Sequence, residues 1–149
     1  SMDARGEHET LREARARYFE ANGFGPDGGY FKDWEIFKLG PLPIPIPNPP
    51  ARRRAIEYHD CNHVLTGYAT DWRGEFEISA WELGAGCGQH AFAWMINLGG
   101  MAMGMLLQPR RTLAAFERGR GCRSLYDLPL EEVLDLRVAD ARRLVGLES

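Results

Sequence analysis

Residues 48–86 read NPPARRRAIEYHDCNHVLTGYATDWRGEFEISAWELGAG, and the punctuation of this stretch decides the fold. Asn48 followed by Pro49 has the character of an N-cap and a proline in a helix's first turn. The spacing predicts a helix from there to about Leu65, closed by Gly67. Tyr68 to Thr70 make a loop, and Asp71 supplies a second N-cap. The next helix runs from roughly Trp72 to Leu83 and ends at Gly84 and Gly86. So short a turn folds the second helix back antiparallel to the first.

Before this pair, Glu9 to Asn22 reads as an amphipathic helix, with Leu11, Ala14, Tyr18 and Ala21 on one face and Gly23 and Gly25 stopping it. The stretch from Gly28 to Pro50 differs. It sets aromatic residues (Tyr30, Phe31, Trp34, Phe37) ahead of prolines that alternate with other residues. Prolines forbid a helix and remove ladder donors, so an extended arm or short irregular hairpin is expected. Ile44 and Ile46 would share one side of it and pack on the helices.

Downstream, no formally charged residue occurs between Leu83 and Pro109. The most apolar part, Ala91 to Leu107, is shorter than the ~20 residues a membrane span needs. It is expected to be a buried central helix, beginning near Gln89 and serving as plain core or as the wall for a lipid. Gly99, Gly100 and Gly104 would admit a neighbour or an acyl chain. Pro109 breaks this helix, and further helices are expected at Arg110–Gly119, Leu130–Leu136 and Val138–Leu147. The fold class is therefore mainly α: a single helical domain over residues 1–149, with the proline-rich arm or hairpin before the helix bearing His59 and His63.

Composition agrees. A chain of 149 residues, 44% hydrophobic and 26% charged, has the makings of one globular core. Its net charge of -3 argues against a nucleic-acid partner. Cys61, Cys87 and Cys122 form no CxxC pair, which suits a reducing cytoplasm. Ser1-Met2 reads as an added dipeptide, and the residues after it lack the character of an export signal.

The chemistry concentrates in His59-Asp60-Cys61-Asn62-His63. At about 100° per residue, positions 59, 60 and 63 fall within one roughly 100° arc of a helix. Imidazole and carboxylate together suit zinc, iron or manganese. Glu75, at the start of the following helix, would come opposite. The alternative is a pair of satisfied core histidines or a surface accident. The zincin motif His-Glu-x-x-His has the same histidine spacing, but Asp60 is one methylene shorter than its glutamate. Ser79 and Glu82 share Glu75's helical face; they are candidates for a supporting role, although a solvated polar stripe is the expected explanation. His90 reads as a helix-start or core histidine, Arg52 to Arg54 as a solvated face, and Cys61 as packing.

The full pattern, His59-Asp60, two residues, His63, eleven residues, Glu75, resembles the signature of the Coq-four family of coenzyme Q biosynthesis. The flanking His63-Val64-Leu65-Thr66-Gly67-Tyr68, Gly74-Glu75 and Trp81-Glu82-Leu83 resemble it too. The likeness is strongest from Arg53 to about Leu83 and continues more weakly through Arg110-Arg111 to Leu128-Pro129. This resemblance implies a helical, membrane-associated protein, placed in the cytoplasm at the inner-membrane surface. Its metal would be held by His59, Asp60, His63 and Glu75, with zinc expected as isolated and iron or manganese as alternatives for the native ion. It implies an enzyme that removes the carboxyl group, with oxidation, from a polyprenylated hydroxybenzoate. Its partners would be a prenylated quinone precursor or other hydrophobic ligand, and a homodimer or a biosynthetic complex. Asp60 is then a fourth ligand, a base, or a partner of an imidazole N–H. Two other readings stay open: a non-catalytic lipid-binding scaffold whose metal only joins two helices, and a small zincin-like hydrolase.

Overall fold

The computed structural model describes residues 8–25, 34–39, 42–47 and 49–147. Helix α1, Leu11–Asn22, begins where the Thr10 hydroxyl accepts from the Glu13 amide at 3.2 Å. It ends at Gly23, whose φ of 69° is the left-handed conformation open to glycine. Strands β1, Trp34–Leu39, and β2, Leu42–Pro47, pair antiparallel from Trp34↔Pro47 to Leu39↔Leu42, so the arm is a hairpin. Prolines at 43, 45 and 47 all share one phase of the pleat, which leaves Leu42, Ile44 and Ile46 as the residues able to donate to the ladder. The expected packing of Ile44 and Ile46 concerns side chains outside the described residues.

Helix α2, Pro50–Thr66, has Pro49 at its N-cap, one residue later than the sequence suggested, and no side chain caps it. The expected cap, Asn48, lies outside the described residues. Gly67 closes α2 in the left-handed conformation, its amide donating to the His63 carbonyl at 3.0 Å. Asp71 caps α3, Trp72–Ala85, by accepting from the Gly74 amide at 2.8 Å. There follow α4, Ala91–Leu107; α5, Pro109–Arg120; α6, Leu130–Asp135; and α7, Val138–Val145. The protein is mainly helical, as the sequence implied.

Helix α3 packs against both α4 and α5. It meets α5 almost backbone to backbone: a Cβ built on Gly119 would lie 2.1 Å from the Trp81 carbonyl oxygen. Trp81, Ile78, Leu65, Leu125, Val133 and Leu134 fill the core around this crossing, and Leu11 anchors α1 to it.

One expectation fails. Helix α4 is not a buried central helix but a surface one. Only Ala93, Asn97 and Gly104 are buried along it, whereas Leu106 is 77%, Met95 61% and Leu98 59% exposed. Its inward side is made of small residues seated closely on α3 and α5: a Cβ on Gly100 would lie 2.2 Å from Ser79 Oγ, and one on Gly104 would lie 2.5 Å from Thr112 Oγ1. Gly100 and Gly104 thus serve helix packing rather than an acyl chain; Gly99 faces open space. The bulky residues of α4 are therefore the ones left outside. No helix among the described residues is long and apolar enough to cross a membrane.

Candidate metal centre

Glu82 follows Glu75 by seven positions, two turns that keep both carboxylates on the face of α3 turned toward α2. Glu75 meets His63 and His59, whereas Glu82 meets His59 and Asn62. The contacts run in opposite chain order, as the short turn between the helices dictates. One ligand atom each from His59, His63 and Glu75 lies within 4.8 Å of the others.

Both imidazoles are held from behind. His59 Nδ1 donates to Glu82 Oε2 at 2.9 Å, and His63 Nδ1 donates to the Tyr68 carbonyl at 2.9 Å, tautomers assigned from these acceptors. Each ring thereby presents Nε2 to Glu75, at 3.1 Å from Oε2 for His59 and 2.9 Å from Oε1 for His63. An N–H given to a carboxylate or carbonyl behind the ring is the arrangement that metal-binding histidines adopt. His63 Nε2 is the telling atom: it is buried and close to Glu75, yet misaligned for a hydrogen bond, so it has no partner. Two groups aimed at a common point rather than at each other give this geometry, and the donor set fits a divalent ion.

Glu82 is 1% exposed and is the hub of the supporting shell. Its Oε1 accepts from Asn62 Nδ2 at 2.6 Å and from the Tyr126 hydroxyl at 2.8 Å. Burial disfavours the charge of His59, but Glu82 and Glu75 outweigh it and raise its pKa well above the ordinary 6.5. Burial likewise opposes ionisation of Glu75, yet its contacts with His59 and His63 prevail and lower it to about 2. Glu82 is also lowered, His59 overcoming its burial. Burial and Glu82 push the Tyr126 phenol well above 10, which keeps it a donor.

Asp60 is buried at the side of this group, where its Oδ1 accepts from the Tyr18 hydroxyl at 3.4 Å. The Tyr18 ring also stacks on His63 with centroids 5.7 Å apart, so α1 braces the site. Glu82 and Ser79 are buried, not part of a solvated stripe: Glu82 holds His59, and Ser79 packs on Gly100. His90 stands at the start of α4, its Nε2 3.1 Å from the Tyr126 carbonyl. Cys61 is fully buried. Arg54 is exposed, but Arg52 is half-buried and lines a cavity beside the histidines.

That cavity measures about 160 Å³, with His59, Glu75 and Glu82 along one side and Ala55, Ile56, Ala93 and Ile96 among its apolar walls. Asn97 and Tyr126 also line it. Neither they nor Asn62 stood out in the sequence. The 7-residue interval from Glu75 placed Glu82 on the right face, which was the one available signal. No family model matches the chain, and no curated protein or solved structure matches it either.

Proposed function

We propose that this chain is a metal-dependent enzyme of ubiquinone-type biosynthesis that decarboxylates a prenylated hydroxybenzoate ring, as the resemblance to the Coq-four family implies. The observation that carries the reading is the cavity of about 160 Å³ bordered by His59 and Glu75, two of the three residues that could hold the ion. A cavity of about 150 Å³ has the volume for a benzene-sized ring. Three protein ligands would also leave a coordination position open, which catalytic sites need and structural sites do not.

A bound divalent ion would supply Lewis acidity toward the ring's carboxylate or phenolate oxygens. His59, His63 and Glu75 would hold it, while Glu82 and the Tyr68 carbonyl keep both imidazoles turned. Ile56, Ala93 and Ile96 would pack on the ring's apolar surface. Asp60, whose Oδ1 accepts from the Tyr18 hydroxyl, would exchange a proton near the site. Ile96 is 41% exposed and joins the cavity to the outer face of α4, where the apolar tail would lie. That face would rest on a membrane surface or on a partner in a biosynthetic complex.

The test pairs metal content with decarboxylation of a carboxylated prenylphenol. His63→Ala should lose the ion and the activity while keeping most of its helical circular dichroism. Asp60→Asn should retain the ion and lose turnover if Asp60 handles protons, or lose both if it is a direct ligand. Wild-type protein that binds the ion and turns over no such acid would leave the scaffold reading in its place.

A further inference from the structure

Helix α4 buries a single polar side chain at its middle. Asn97 is 1% exposed and lines the cavity together with His59, Glu82 and Tyr126. Its Nδ2 donates to Cys87 Sγ at 3.5 Å, which orients the amide, and its Oδ1 has no hydrogen-bond partner. A buried acceptor left unpaired is expensive, and a leucine of similar size would remove the expense while continuing the apolar helix.

The neighbouring polar groups are already engaged. Glu82 takes its donors from His59, Asn62 and Tyr126, and the Tyr126 hydroxyl spends its proton on Glu82. Asn97 Oδ1 is the one buried side-chain polar atom without a hydrogen-bond partner among the described residues that line the cavity. It is an acceptor, so the ligand group that meets it must be a donor.

We infer that Asn97 determines specificity in this cavity, its Oδ1 accepting a hydrogen bond from a hydroxyl on the ring held there. The inference rests on the proposed function only in taking an aromatic ring as the occupant. A ring without the hydroxyl leaves the acceptor unmatched, and a methyl ether sets oxygen against oxygen. Sites built around such a group discriminate far more sharply than apolar pockets do.

The experiment is a ligand-observed NMR titration of the zinc-loaded protein with benzoate, the three monohydroxybenzoates and their methyl ethers. One hydroxy acid should bind at least tenfold more tightly than benzoate, and its methyl ether should bind no better than benzoate. Asn97→Leu should erase that advantage while keeping zinc content and an equal or higher Tm. Asn97→Ala should erase it as well, so that a failure of the leucine variant to fold does not spare the inference. A hydroxyl preference that survives in a folded variant, or its absence from the wild type, overturns the inference and leaves the ring-binding reading intact. Zinc-loaded protein that binds none of these acids removes the ring reading and the inference together.

Discussion

Glu82 accepts three hydrogen bonds through two oxygens, from His59, Asn62 and Tyr126, and all of its neighbours are donors. A glutamine there has the right volume but must turn an NH2 group toward one of them. Glu82→Gln should therefore weaken metal binding about 10–100-fold, the usual effect of losing such a partner. Competition against a chromophoric chelator reads this directly, and an unchanged dissociation constant would remove Glu82 from the site. The His59–His63–Glu75 group, though not the expected part of Asp60 in it, was legible in the sequence because one helical turn and one short loop fix the mutual position of its members. Glu82 was legible only as a candidate on the right face, with a solvated stripe expected instead, since a glutamate in a helix is exposed far more often than buried. Asn97 and Tyr126 arrive from parts of the chain whose placement depends on how α4 and the loop before α6 pack, and no local pattern encodes that.

The helices were legible from their caps and breakers, since Gly23, Gly67, Asp71 and Pro109 act on adjacent backbone. Which side of α4 faces inward was not. A helix with hardly a polar residue carries no amphipathic signal, so apolarity alone suggested burial. What orients α4 is size: glycine, alanine and one asparagine face in. At the neighbouring crossing, Gly119→Ala forces a Cβ onto the Trp81 carbonyl, a backbone group unable to swing aside. We expect a loss of about 1–3 kcal/mol, and for a domain of this size each kcal/mol lowers Tm by roughly 2–4 °C. Gly99→Ala, in open space on α4, should leave Tm unchanged or raise it, because alanine favours helix over glycine. Thermal melts followed by circular dichroism compare the two; equal Tm values would mean that the α3–α5 approach is looser than described.

Across the whole molecule, metal binding at this site would be linked to stability through protons. In the metal-free protein His59 has a raised pKa, so its contribution to stability is complete below pH 6.5 and is lost as pH rises through the raised value. Glu75 acts in the opposite sense: its contribution holds above 4.5 and is lost as pH falls toward about 2. A bound ion needs the proton of His59 removed, so metal affinity should climb with pH until His59 is neutral. An ion at one hundred times its dissociation constant adds about 2.7 kcal/mol to stability. The rise in Tm on adding zinc should accordingly be larger at pH 8 than at pH 6, as scanning calorimetry would measure; a rise independent of pH would mean that His59 is not a ligand. The exposed side of α4 has a consequence of a different kind, one of length. From Ile96 at the cavity to Leu107 at its end, the helix extends roughly 16 Å. If the proposed substrate's apolar tail left the cavity along this side, it would be measured against a ruler. Shorter tails would leave part of it wet, longer ones would run past Leu107 with nothing further to touch on α4, and the helix would grade tails only up to its own length.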